Sequence, residues 1–182
     1  MLGTMGYRIR DLDESSDLEV ETVTRWCMET VLSTIPEFEG SPEKAQAALP
    51  NFTFDQMIAM IRADFPKPTH RFLVIENEDD GALVAHSMIS RKLSPDGEAY
   101  GSFFSRFVLP AHRRRGLGGR LMTEAMAWFE GGELSYLLAH THATNKALQG
   151  LFMAHGFRVV ARSQTPWPTL TLRMDCGRRT DG

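Results

Sequence analysis

The stretch on which the fold turns is His112-Arg113-Arg114-Arg115-Gly116-Leu117-Gly118-Gly119-Arg120. Before it, about Tyr100–Leu109 is rich in aromatic residues, reads as a strand and stops at Pro110. After it, Leu117, Leu121, Met122, Ala125, Met126 and Phe129 recur at helical spacing and form one apolar face, ended by Gly131-Gly132. The glycines and arginines therefore join a strand to a helix N-terminus. The first N–H groups of a helix have no internal partner and carry the positive end of its dipole. Glycines let that backbone close around an anion without interference from Cβ atoms, and arginines add charge-assisted hydrogen bonds. The pattern predicts a phosphate-binding turn.

Three other readings fit parts of this turn. A P-loop needs a Lys-Ser/Thr pair after its last glycine, where Gly119-Arg120-Leu121 stands. A dinucleotide fingerprint needs a third glycine at its own spacing in a parallel βαβ unit, and antiparallel strands precede this loop. An isolated run of arginines is also compatible with a solvated basic turn or a nucleic-acid patch.

Working outward, Tyr7–Arg10 is a short strand candidate, and Ser15, Ser16 and Asp17 supply N-cap chemistry for a helix. That helix carries Val20, Val23, Trp26, Cys27 and Val31 at helical spacing and ends before Pro36. Glu37–Pro50 is poorly patterned and is expected to be loop with some helix. Asn51–Phe65 places Phe54, Met57, Ile58 and Ile61 on one face and stops at Pro66. Phe72–Glu76 and Ala82–Arg91 form a hairpin, and Ser94-Pro95-Asp96-Gly97 turns the chain into the Tyr100 strand. Beyond the glycine turn and its helix, Leu134–Thr141 reads as a buried strand and Asn145–His155 as a helix stopped by Gly156. Phe157–Val160 and Thr169–Met174 are the last strands. The fold class is α/β (α+β): a single domain over 1–182 with its core at about 7–174. A mixed central sheet of six to seven strands is flanked by about four helices, and 175–182 is a flexible tail.

At this point the chain resembles the GNAT N-acetyltransferases. Their signature, Gln/Arg-x-x-Gly-x-Gly/Ala, follows a strand ending in Val-x-Pro; here Val108-Leu109-Pro110 precedes Arg113-Arg114-Arg115-Gly116-Leu117-Gly118. Their second motif, Asn-x-x-Ala-x-x-Leu-Tyr-x-x-x-Gly-Phe, is matched in spacing by Asn145, Leu151, Gly156 and Phe157. It departs at the alanine, where Leu148 stands one residue after Ala147, and at the tyrosine, where Phe152 stands. The resemblance implies an acyl-CoA-dependent N-acetyltransferase that moves an acetyl group from acetyl-CoA to a primary amine of a small molecule or peptide. The main chain of Arg106, Phe107 and Val108 would hold the acetyl group and pantetheine arm, with the Val108 N–H near the thioester oxygen, and that of Arg114, Arg115, Gly116, Leu117, Gly118 and Gly119 the pyrophosphate. The Asn145 side chain would bond the arm; as a residue type it equally suits the N-cap of its helix.

Acyl transfer to an amine needs a neutral nitrogen, a donor for the developing oxyanion and a tolerated thiolate. The family's general acid is the tyrosine of its second motif. Phe152 cannot donate a proton, so that role does not carry over, and Phe152 is expected to pack near the arm. His140 and His142, on one face of a strand, are the candidate bases, with Ser105 a third candidate on the strand that delivers the acyl group. His86, His112 and His155 are expected to be structural or exposed. Trp26 is expected in the core, and Phe38 and Phe52 are candidates for a substrate pocket.

Composition is ordinary for a folded protein, with 42% hydrophobic and 24% charged residues in a chain of 182. A net charge of −3 provides no general field toward nucleic acid or anionic lipid. Cys27 and Cys176 form neither a scaffold nor a metal-ligand pattern, so no metal is expected and both thiols are expected unpaired. With no apolar leader segment, the expected location is cytoplasmic and off the membrane. A homodimer through an edge strand is compatible with such a fold. A catalytically weak acyl-CoA-binding module and a nucleotide-phosphate binder stand as the alternative functions.

Overall fold

The computed structural model describes residues 6–177. In chain order the strands and helices are β1 (Tyr7–Asp11), α1 (Asp17–Thr34), α2 (Pro42–Ala48), α3 (Phe54–Asp64), β2 (His70–Asn77), β3 (Leu83–Leu93), β4 (Ala99–Val108), α4 (Leu117–Glu130), β5 (Tyr136–His142), α5 (Lys146–Ala154), β6 (Arg158–Ser163) and β7 (Thr169–Asp175). Short 3₁₀ turns at Pro36–Phe38 and Pro110–His112 follow α1 and β4.

Local chemistry sets the helix starts. Ser16, Ser41 and Thr53 each accept a hydrogen bond from the backbone N–H three residues on, and Asn145 does the same for α5 through Leu148 N. Five α-helices are present among the described residues, against about four expected. The extra one is α2, where the Ser41 cap and Pro42 in the first turn start a helix too short to show periodicity. Of the expected tail at 175–182, Asp175 closes β7 and 178–182 lie outside the described residues.

The seven strands form one sheet in the order β1-β2-β3-β4-β5-β7-β6. Every pairing is antiparallel except β4 with β5. Strand alternation sorts the core onto the two faces. Leu73, Ile75, Ala85, Ile89, Leu137, Ala139 and Leu172 pack with Leu121, Met122, Ala125 and Phe129 of α4 and Phe152 of α5. On the other face Phe72, Val74 and Met88 meet Val20, Val23 and Cys27 of α1 and Ile61 of α3. A smaller cluster of Ile35, Phe38, Ala45 and Phe52 anchors α2. Phe38 and Phe52 are thus core residues, 2% and 8% exposed, and not the pocket lining expected from sequence. Their burial is what holds a poorly patterned segment in place.

Candidate active site

The site begins where β4 and β5 part. They pair in parallel over Tyr100–Phe103 and Tyr136–Ala139, and no further. β4 then stays with β3 through Val108, while β5 stays with β7 through His142. A register shift opposite Met88/Ile89, where Phe104 is the extra residue, marks the start of the divergence. Leu109 N donates to Val84 O on β3. By alternation, the N–H groups of Arg106 and Val108 therefore point away from β3 and into the splay. An arm of alternating donors and acceptors can lie there as an additional strand.

The splay runs to the glycine turn. Arg114 and Gly116 are left-handed at φ 61° and 76°, and α4 starts at Gly116 with no side-chain cap and no acidic residue in its first turn. Its first N–H groups are thus left for an anion. The arginines of the turn have different surroundings. Arg113 Nε donates to Val108 O at 2.9 Å, tying the turn to the strand end. Arg120 donates to Tyr7 O, and Arg114 is held in the left-handed region. Beside the turn a cleft of about 790 Å³ is lined by Gly116, Gly119, Arg120, Thr123 and residues of β1.

The two sides of β4 differ in chemistry. Arg106 turns its side chain toward α5, with the guanidinium carbon 5.3 Å and 5.2 Å from the ring centres of Phe103 and Phe152. All three guanidinium nitrogens are buried without a hydrogen-bond partner, and burial pushes the group down to about 10. Ser87, opposite Arg106 on β3, also has a buried, unpartnered hydroxyl. On the α1 side, Ser105 Oγ lies 2.8 Å from His86 Nε2 and 3.3 Å from Cys27 Sγ. His86 is fully buried beside the stacked rings of Trp26 and Phe107, and burial, then the Arg106 charge, lower its pKa to about 3. His86 Nδ1 is unpartnered. An orphan lone pair there is less costly than an orphan N–H, so the proton belongs on Nε2 and is donated to Ser105. Burial raises the Cys27 thiol to about 11, so it remains protonated and also donates to Ser105. With both lone pairs filled, Ser105 has its own O–H left to give.

The acetyltransferase (GNAT) family model matches residues 36–157, two thirds of the chain, including both motifs. The chain belongs to the GNAT acetyltransferase family. Solved structures agree on the fold. A GNAT-family acetyltransferase from Streptococcus pneumoniae superposes with a TM-score of 0.69 at 16% identity, covering 94% of this chain and 100% of its own. YncA of Salmonella typhimurium, solved with acetyl-CoA, gives 0.70 at 20% identity over 96% of each chain. The PaiA N-acetyltransferase of Thermoplasma acidophilum, solved with coenzyme A, gives 0.71 at 15%, covering 94% of this chain and 100% of its own. None of the curated protein sequences compared matches the chain.

Within this GNAT chain the remaining sequence candidates separate. His140 and His142 both lie on the face of β5 away from α4 and past the last β4 pairing, but their surroundings differ. His142 is buried and both ring nitrogens are engaged. Nδ1 accepts from Thr144 N at 3.1 Å, and Nε2 lies 3.2 Å from the Glu37 carboxylate. It ties the end of β5 to the turn after α1 and has no lone pair free for a substrate. His140 is exposed, with Nδ1 3.1 Å from Thr171 Oγ1. Partial desolvation of its ring, then the Lys92 ammonium, lowers its pKa, so it is neutral at pH 7. Asn145 Oδ1 caps α5 by accepting from Leu148 N. Phe152, 2% exposed, packs edge-on to Phe103 and Phe157. His112 and His155 bond Tyr7 and the Leu151 carbonyl.

Sequence reasoning missed Glu37, the His86–Cys27 cluster and the burial of the Arg106 side chain. Cys27 and His86 each sit on the inward face of their element, a signal present in the periodicity. Nothing in the sequence pairs Glu37 with His142, 105 residues away.

Proposed function

We propose that the chain is an acetyl-CoA-dependent N-acetyltransferase that transfers the acetyl group to a primary amine by direct attack. The observation carrying this reading is the splay: two outward main-chain N–H groups on β4 lead to an uncapped, glycine-lined helix N-terminus. Those residues suit a long thioester with a diphosphate at its far end. Leu117, Gly118 and Gly119 would hold the diphosphate through main-chain N–H groups, and Arg106 and Val108 the amide arm. The bound thioester supplies an activated acetyl group.

The chain's own residues supply orientation and proton handling. Ser105, already accepting from His86 and Cys27, offers its O–H to a developing oxyanion. His86 is too weak a base at neutral pH to activate Ser105 as a nucleophile, which favours direct attack over an acyl-serine. His140, neutral and exposed at the acceptor side of the splay, is the base that would take the proton lost by the amine.

The test is thermal unfolding with acetyl-CoA, CoA and ATP, followed by an amine screen read as free thiol. A ligand specific for the folded state at a hundred times its Kd stabilises by about 2.7 kcal/mol, a shift easily read. A shift with both CoA species but not ATP, and amine-dependent thiol release, is expected. CoA binding without turnover on any amine would favour an acyl-CoA-binding module, consistent with Phe152 in place of tyrosine. No shift with CoA refutes the reading.

A further inference from the structure

A cation buried against a pair of aromatic rings with no hydrogen-bond acceptor is costly unless an anion completes it. Arg106 is in that position: its three nitrogens are buried and unpartnered, 5.2–5.3 Å from the rings of Phe103 and Phe152 by its guanidinium carbon. Tyr, Asp or Glu could have satisfied it, but among the described residues none does. The Ser87 hydroxyl opposite is equally without a partner. The same residue's main-chain N–H faces the splay, and its side chain lies next to it on the α5 side of β4. The splay has a direction. It starts at the anion turn of α4, follows Val108 and ends at Arg106 near the closed apex at Phe103. On the proposed function, on which this inference rests, the diphosphate occupies the start. The far end of coenzyme A is then at Arg106, and the group there that can become an anion is the thiol.

We propose that the Arg106 guanidinium is the thiolate-binding group of this site, receiving the sulfur of coenzyme A as it leaves the acyl carbon. In that step the amine lone pair forms the C–N bond and the C–S pair departs on sulfur. The amine proton goes to His140 or solvent, and Arg106 keeps its own protons. Arg106 stabilises the leaving group as a cation and is not a proton donor. At neutral pH the group is charged even with burial lowering its pKa to about 10. A cation here lessens the need for a phenolic acid at position 152, and Phe152 gives it an aromatic face instead.

The test needs no acceptor amine. Calorimetric affinities of CoA and desulfo-CoA are compared from pH 6.5 to 9.5, for the wild type, Arg106→Met and Arg106→Lys. In the wild type the two ligands bind alike at pH 6.5. CoA then gains about tenfold or more over desulfo-CoA at high pH, because lowering the bound thiol's pKa by one unit from about 8.5 is a tenfold gain there. Arg106→Met abolishes the gain with desulfo-CoA affinity retained, and Arg106→Lys restores part of it. Without ligand, Arg106→Met melts higher than the wild type, since an unpaired buried charge has been removed; a structural arginine would give the opposite. The proposal is overturned if wild-type CoA never outbinds desulfo-CoA, or if Arg106→Met weakens both ligands equally. Failure of the wild type to bind either ligand would instead refute the proposed function.

Discussion

Two glycines of the anion turn, two residues apart, respond in opposite ways to the same substitution. Gly116 sits at φ 76°, and a Cβ built there meets nothing within 4 Å. Its requirement is therefore backbone conformation and not space. An alanine held in the left-handed region costs about 1–2 kcal/mol. Gly118 has ordinary helical φ, and its Cβ would touch only Leu151 Cδ2 at 3.5 Å, a normal contact. Alanine there restricts the unfolded chain and stabilises by about 0.4–1 kcal/mol. The two variants should differ by about 1.4–3 kcal/mol in urea unfolding, which for a domain of this size separates melting points by several degrees. Binding amplifies the difference. Relaxing Gly116→Ala out of the left-handed region rotates the first N–H groups of α4 off the anion, so CoA affinity should fall about tenfold or more, equivalent to about 1.4 kcal/mol. Gly118→Ala keeps the helical direction of its own N–H, so its CoA affinity should fall less than that of Gly116→Ala. Calorimetry with CoA and urea unfolding of both variants check the pair. Equal CoA affinity in Gly116→Ala and the wild type would refute the assignment of the diphosphate to this turn.

Two further outcomes follow from burial. His86 is neutral in the folded chain down to about pH 3 but takes up a proton near pH 6.5 when unfolded, so stability is complete above 6.5 and declines as pH falls toward 3. Between pH 6.5 and 5 the loss should be about 1.6 kcal/mol in urea unfolding, and His86→Gln should show a markedly flatter decline. Gly101→Ala would drive a Cβ to 2.5 Å from Leu137 and 2.6 Å from Phe129 at the closed end of the splay, so it should cost about 1–3 kcal/mol by overpacking, read from the same unfolding curves.

What was legible in the sequence was whatever local chemistry alone decides. The glycine turn, the amphipathic α4, the Asn145 cap and the face shared by His140 and His142 all depend on neighbours within a few residues. The β4–β5 splay was not legible from residues alone, because where two strands cease to pair depends on a bulge at Phe104 that no alternation pattern announces. Arg106 shows the same limit more sharply. Period-2 alternation places it on the face of Val108, an interior face, yet an arginine on a strand normally reaches solvent along its apolar stem. Only the closure of α5 over the strand, with Phe152 against the guanidinium, traps the charge. His142 was legible as a residue type but not in role, since Glu37 and Thr144 fill both its nitrogens.

The two faces of β4 are electrically coupled, and the coupling bears on which chemistry the strand can support. Arg106 and Ser105 are adjacent and point to opposite sides of the sheet. The charge on Arg106 is the second cause, after burial, of the low pKa of His86, which donates to Ser105. The cation that suits a departing thiolate therefore also keeps the imidazole behind Ser105 from acting as a base. A serine fed by a neutral imidazole and a protonated thiol can give a hydrogen bond but cannot readily be deprotonated. One buried charge thus biases the site against an acyl-serine and toward direct transfer. In Arg106→Met the acid-induced loss of stability through His86 should accordingly set in over a narrower pH range, its lower limit moving up from about 3 as the Arg106 contribution is removed.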